Sequence, residues 1–370
     1  MVVVADVLIY GDTIRSPELR HEVPVPVPDP FLYVERNGSR YAFVSPLELP
    51  RMQLDGLAAV PFEDLGMDEL IAQGLSSDEL DRELVLRACR RVGIDDAVAP
   101  RTFPLDLADH LRANGVQVRS HGETFDQRRR VKTEAELEGI RRAQRSAEQA
   151  MDAIRARLRG GTATCEELRA EAMRAFTEAG MIVPDIVIVS HGAQTAVGHE
   201  PGFGVVQPGE PVVVDLYPQD PESGCFTDMT RTFCVGEPPE ELARFHALVR
   251  EALDLAYDVL KPGVKGQDAH RAVCDFFQGH GFPTQLTKPP GEVLDEGFDH
   301  SLGHGVGLEV HEEPGLGRLG RTELVVGDVV AVEPGLYRPG FGGCRLEDTV
   351  LVTKSGVELL GSGYSYDLAP

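Results

Sequence analysis

The sequence predicts a two-domain α+β protein, in which a smaller α/β domain precedes a larger one built twice from a helix pair and a sheet. Three observations carry this expectation. At 370 residues the chain exceeds the size at which a single hydrophobic core keeps growing. Its first third mixes short extended runs with helical ones. From about residue 131, a long helical pattern, a glycine stop, a shorter helix and strands follow one another, and that order then recurs.

The elements read as follows. LYVERNGSRYAFVS has two extended segments around Asn37-Gly38, a strong hairpin signal. Before it, VPVPVPDP (Val23 to Pro30) lacks the amide donors of a central strand and is expected to be an exposed extended linker. SSDELDRELVLRACRRVG and LDLADHLRANG read as helices stopped by Gly93 and Gly115. A basic stretch, Arg128 to Lys132, leads into a long helix. Thr133 with Glu136 forms its capping box, and Leu137, Ile140, Ala147, Met151, Ile154 and Leu158 recur at helical spacing until Gly160-Gly161. The domain boundary is therefore expected near residue 130, giving domains 1–130 and 131–370. A shorter helix from about Thr164 to Gly180 and the strand IVIVS complete the first repeat. PPEELARFHALVREALDLAYDVLKPG, a helix from Gln267 to about Gly279, and further strands make the second.

Composition excludes several classes. A formal net charge of −24 argues against nucleic acid or an anionic membrane surface as partner, since both are anionic. The start, MVVVADVLIYGD, has no basic flank and is interrupted by Asp6, so neither a signal peptide nor a membrane span is read there. Six scattered cysteines without a CxxC pair read as reduced thiols in a cytoplasmic protein.

The chemistry lies in five potential ligands on five segments. Asp215 ends PVVVD, Asp228 lies in CFTDMTRTF, His304 in HSLGHGVG, Glu333 in VVAVEPG and Glu347 in GCRLEDTVLV. Any one of them could be an ordinary solvated or ion-paired group. Together, on largely apolar strands, they carry charge where a core-facing residue is expected, and an unpaired buried carboxylate costs roughly several kcal/mol. Cations remove that conflict. Four carboxylates and one imidazole are too many for one structural zinc, but suit two hard divalent cations with open positions for water and substrate.

In order and surroundings, DMTRTF, HSLGHGVGLEVHEEP, VEPGLY and RLEDTV resemble the pita-bread metallopeptidases: prolidase, aminopeptidase P and methionine aminopeptidase. The resemblance covers about residues 131 to 360, and implies a pita-bread domain with pseudo-two-fold symmetry and a site between its halves. It implies that Asp215 binds one metal, that Asp228 and Glu347 bridge the pair, and that His304 and Glu333 complete the other. Glu333 would also be the general base toward the attacking water. The cations would be manganese, with cobalt or zinc as alternatives. His199, His300 and His311 match substrate-pocket histidines that polarise the scissile carbonyl or hold the tetrahedral intermediate, and Arg345 matches a substrate-facing arginine. The family further implies a homodimer acting on short proline-containing peptides.

The expected activity is hydrolysis of the bond preceding proline, most of all in Xaa-Pro dipeptides, with Arg345 receiving the far carboxylate. Xaa-Pro aminopeptidase on longer peptides is the alternative. A metal-free hydrolase like creatinase, or a non-catalytic binding module of this fold, is disfavoured because all five ligand positions carry ligand-type side chains. Two departures touch one wall of the pocket: Tyr217 stands where the family has a small residue, and the turn YPQDPESG is long. Asp220 and Glu222 within that turn read as solvated residues. QLTKPPGEVLDEGFD reads as a loop overhanging the site.

Overall fold

The computed structural model describes residues 5–370. The first four residues of the apolar start lie outside the described residues. The chain divides into two compact units, Met1–Arg129 and Arg130–Pro370. Among the described residues, no helix is long and apolar enough to cross a membrane, and all six cysteines are buried free thiols.

In the first unit, strands β1 (Asp6–Gly11), β2 (Phe31–Arg36), β3 (Ser39–Val44), β4 (Leu57–Pro61), β5 (Asp96–Ala99) and β6 (Gln117–Ser120) form one mixed sheet, ordered β4-β3-β2-β1-β5-β6. Its helices are α1 (Pro17–Glu22), α2 (Met67–Ala72), α3 (Ser77–Val92), α4 (Leu105–Ala113) and α5 (Gly122–Arg130), the last running to the division between units. The β2–β3 hairpin turns at Asn37 and Gly38, both at positive φ (51° and 78°), the geometry that matches the twist of paired strands. The segment after α1 departs from the expected exposed linker. Its prolines keep it out of the sheet, yet Val23 and Val27 are fully buried in an apolar cluster with Phe31 and Tyr33. Thr13 holds it there, donating from Oγ1 to Val25 O at 2.6 Å and accepting from Val27 N–H at 2.7 Å. Alternation of proline with valine leaves one apolar face, which packs.

The second unit repeats an element order. Helix α6 (Glu134–Arg159) starts at the capping box of Thr133 and Glu136, and buries Ile140, Ala147, Met151, Ile154 and Leu158 along one stripe. It packs on α7 (Cys165–Glu178), and both cover a three-stranded antiparallel sheet ordered β7 (Ile188–His191), β8 (Pro211–Leu216), β9 (Met229–Cys234). Then α8 (Glu240–Val259) and α9 (Gly266–Gly279) pair in the same way. They are followed by β10 (Gly303–Gly305), β11 (Glu312–Leu316), β12 (Val329–Val332), β13 (Gly335–Arg338), β14 (Gly342–Arg345), β15 (Asp348–Thr353) and β16 (Gly356–Leu359). Five of these form a sheet ordered β11-β10-β12-β15-β16, while β13 and β14 form a hairpin.

The short strand β10 lies between β11 and β12, and glycine is what lets it fit. A Cβ at Gly303 would be driven into the carbonyl oxygen of Ala331, and one at Gly305 into that of Glu313. Gly303→Ala is expected to destabilise the protein by about 1–3 kcal/mol, the cost of overpacking a tight contact. A denaturant midpoint unchanged from wild type would show that β10 yields more readily than its packing indicates.

Candidate metal centre

Strand β8 carries Val212, Val213 and Val214 buried on both faces, and at its end places Asp215, also buried. Asp228 immediately precedes β9. Its backbone is gripped by one side chain, since Asp228 N–H donates to Thr349 Oγ1 at 3.0 Å and that hydroxyl donates to Asp228 O at 2.9 Å. Glu347 joins β14 to β15, with its N–H donating to Thr230 O at 3.1 Å and its Oε2 accepting from Thr230 Oγ1 at 2.6 Å. Arg231, 1% exposed as a side chain, donates to Glu347 O at 2.8 Å and to Asp348 Oδ1 at 2.8 Å, fixing the chain where it leaves that glutamate. Glu333 follows β12, and its N–H donates to Leu302 O at 2.8 Å.

His304 sits at the centre of β10. Its Nδ1 lies 3.2 Å from Gly305 O, which can only accept, so the proton belongs on Nδ1 and the Nε2 lone pair is free. That Nε2 is 3.8 Å from Asp228 Oδ2 and 3.8 Å from Glu333 Oε1. One ligand atom each of Asp228, His304 and Glu347 lie within 4.8 Å of one another.

Electrostatics shows what this cluster lacks. Burial, then the charges of Glu347, Asp215 and Glu333, push the Asp228 carboxyl well above its usual range. Burial, then Glu333 and Asp215, do the same to Glu347, and burial foremost pushes Glu333 up to about 7. Burial and the neighbouring His311 push His304 down to about 4, so its imidazole is neutral. Asp215 Oδ1 and Asp228 Oδ1 are buried without a hydrogen-bond partner among the described residues. Hard oxygen donors crowded together, two of them orphaned, beside a neutral imidazole whose lone pair faces them, fit divalent cations.

All nine side chains singled out from the sequence line one cavity of about 470 Å³: the five of the cluster, His199, His300, His311 and Arg345. A larger groove of about 640 Å³ beside α6 and α7 has no such convergence, and its arginines Arg142, Arg145 and Arg174 are paired with acids. His199 holds a left-handed backbone (φ 61°), and the His304 and His311 rings meet edge-on with centroids 4.1 Å apart. Arg345 enters the cavity differently from the expectation that it receives a substrate carboxylate. It is 8% exposed, donates to Asp215 Oδ2 at 2.6 Å and to Tyr337 Oη at 3.1 Å, and its Nε reaches Thr230 Oγ1 at 3.3 Å. Its guanidinium is already engaged within the protein. Asp220, read as a solvated turn residue, is instead buried, because Arg142 meets both its oxygens (2.9 and 2.8 Å) and Ser223 donates to it.

Tyr337 was not singled out from the sequence. Its hydroxyl lies 3.0 Å from His300 Nε2 and continues the chain from Asp215 through Arg345. His300 Nδ1 is 2.7 Å from Ser301 O and must donate there. Burial, then Arg345, pushes the ring down to about 3, so its neutral Nε2 accepts from the phenol. The signal available in the sequence was a pair of glycines: side chains at Gly335 and Gly343 would strike the Tyr337 ring, and the β13–β14 hairpin keeps that space clear.

Comparison with known proteins agrees with this geometry. The family model described as Metallopeptidase family M24 matches residues 138–354. A protein of Pyrococcus horikoshii named Xaa-Pro dipeptidase is 30% identical over 272 residues, covering 72% of this chain and 73% of its own. The solved structure titled Xaa-Pro dipeptidase from Bacillus anthracis superposes with a TM-score of 0.81 at 24% identity, over 99% of this chain and 94% of that one. The X-Pro aminopeptidase of Thermotoga maritima gives 0.77 at 22% identity, over 99% and 95%. At those identities the two structures bear on the fold alone. The chain thus belongs to metallopeptidase family M24, with an N-terminal α/β domain and a C-terminal pita-bread domain, and the family implies a divalent-metal site.

Proposed function

We propose that the protein is a metal-dependent Xaa-Pro dipeptidase. The observation that carries the hydrolytic reading is the buried carboxylate cluster with two orphaned oxygens facing the His304 lone pair. The preference for dipeptides is supported by the similarity to the Pyrococcus horikoshii Xaa-Pro dipeptidase.

Asp215, Asp228, His304, Glu333 and Glu347 would hold two divalent cations, manganese first among the candidates. Such cations, when bound, supply Lewis acidity that brings the pKa of a water toward neutrality and polarises a carbonyl. Glu333 takes the proton of the attacking water and passes it to the proline nitrogen, a role for which a carboxyl pushed up to about 7 is matched at neutral pH. That nitrogen belongs to a tertiary amide and leaves as an amine only if protonated. Both ring nitrogens of His300 are engaged, Nδ1 with Ser301 O and Nε2 with the Tyr337 hydroxyl, which leaves His199 and His311 to meet the oxyanion.

Arg345 is a positioning residue in this scheme. It holds Asp215 Oδ2, so that the orphaned Oδ1 remains directed into the cluster. Arg345→Ala is expected to weaken manganese binding by about 10- to 100-fold, as loss of an outer partner of a metal ligand does, with similar activity losses on all substrates. Arg345→Lys should not restore it, because one ammonium cannot reproduce the planar fork to Asp215 and Tyr337. Wild-type manganese affinity in Arg345→Ala would end this assignment.

The function itself is tested with purified, manganese-loaded protein on Ala-Pro against Ala-Pro-Ala. A clearly higher kcat/KM for the dipeptide is expected. The reverse preference would make the protein an aminopeptidase P, and no cleavage of either would remove the proline-specific reading.

A further inference from the structure

The connection that carries Glu347 is supported from well beyond the strands that flank it. Arg231 is the first support. Its planar fork has five N–H donors, and each has an acceptor. Nη1 donates to Thr230 O at 2.9 Å and to Glu347 O at 2.8 Å, and Nη2 to Asp348 Oδ1 at 2.8 Å. The two remaining donors leave the strands. Nη2 also donates to Tyr364 O at 3.1 Å, and Nε donates to Ser365 O at 3.0 Å. One buried guanidinium thus joins a proposed metal ligand to the irregular segment after β16, residues 360–370.

Tyr366 reaches the same connection from that segment. Its hydroxyl donates to Asp348 Oδ2 at 2.6 Å, beside Tyr257 of α8, which donates to the same oxygen at 2.7 Å. The centre of its ring lies 4.4 Å from the guanidinium carbon of Arg231 and 4.0 Å from that of Arg250, close enough for cation–π attraction. Its carbonyl accepts from His246 Nε2 at 2.7 Å. Two residues on, Leu368 O accepts from the N–H of Cys234, at the end of β9, at 2.7 Å. The segment is therefore bonded to β9 of the first repeat and to α8 of the second.

Hydrogen bonds to a buried carboxylate are strong, and losing one leaves a polar atom short of a partner. Asp348 accepts from Arg231, Tyr257 and Tyr366, and the residue before it is Glu347. Loss of the Tyr366 bond frees the β14–β15 connection to shift, and the Glu347 carboxylate with it. We infer that residues 364–366 belong to the support of the metal centre, with Tyr366 a positioning residue that acts through Asp348 and Arg231 to set Glu347. The inference rests on the metal reading of the cluster given above. Metal affinity then depends on a side chain whose bond is to the neighbour of a ligand.

The test is manganese binding by titration calorimetry to metal-free Tyr366→Phe and Tyr364→Phe, at a temperature where both are folded. Tyr366→Phe keeps the ring beside both arginines and removes only the bond to Asp348. It should weaken manganese binding by about 3- to 10-fold, less than loss of a direct partner of a ligand would. Tyr364→Phe is the control. It removes that hydroxyl's bond to Asp152 Oδ1 (2.7 Å), which ties the same segment to α6, and leaves the Tyr364 carbonyl on Arg231. Its manganese affinity should stay within twofold of wild type, whereas a general loosening of the segment would lower affinity in both variants. Affinity within twofold of wild type in Tyr366→Phe, or equal weakening in the two variants, overturns the inference while the metal reading stands. A wild-type protein that binds no manganese overturns both.

Discussion

Glu333→Gln is expected to fold, and to hydrolyse Ala-Pro about 10³-fold more slowly than wild type, a barrier increase of ~4 kcal/mol. The substitution keeps shape and removes charge. Glu333 is the cluster acid nearest in character to a neutral-pH proton carrier, because burial lifts it to about 7, whereas the Asp228 and Glu347 carboxyls are pushed well above their usual range by burial and by their neighbours' charges. Its Oε2 lies 3.9 Å from His300 Nδ1 and 4.0 Å from Arg345 Nε, so an amide there meets no unsatisfied anion and should not unfold the site. Hydrolysis within tenfold of wild type would remove Glu333 from the proton-transfer role. Elemental analysis of the same sample separates this from simple loss of metal.

The second large effect concerns stability without metal. Asp228→Asn and Glu347→Gln should each melt higher than wild type in the presence of a chelator at pH 8, and lower than wild type once manganese is added. Buried acids with raised pKa bind protons more tightly in the folded chain than in the unfolded one. Stability is then fully present below the ordinary carboxylate pKa and falls as pH rises through the raised value. For Glu333 that window runs from 4.5 to about 7, a loss on the order of 3 kcal/mol by pH 8. Removing one neighbouring charge relieves it. Metal reverses the order because it binds the folded state and needs both carboxylates. A metal-free wild type whose melting temperature stays level from pH 5 to 8 would contradict this account, as would full manganese occupancy in either variant.

What the sequence discloses follows from how local each signal is. The capping box at Thr133 and the proline-broken run before β2 are local, and their consequences for helix start and sheet exclusion are seen in the structure. Asp215 and Glu333 stand out because each ends a run of buried valines and alanine, where a carboxylate needs an explanation. Burial of Val23 and Val27 is less visible, because proline content reports hydrogen-bonding capacity and says nothing of which face packs. Partners distant in sequence leave no mark at all. Arg345 and Asp215 are 130 positions apart, and Arg142 and Asp220 are 78, so a cation that looks free can be committed.

The division of the cluster between the two repeats has a further consequence. Asp215 and Asp228 come with the β7–β8–β9 sheet, while His304, Glu333 and Glu347 come from the strands after α9. Neither half owns a complete site. The two halves are therefore bound to a common fate, like the jaws of a vice: a change in one that shifts it by about 1 Å alters every distance to the donors of the other, though no donor has been touched. Thr349, reaching from the second half to clasp the backbone of Asp228 in the first, is the pin through both jaws. Substitutions tolerated for folding within either half can still be excluded by the alignment between them.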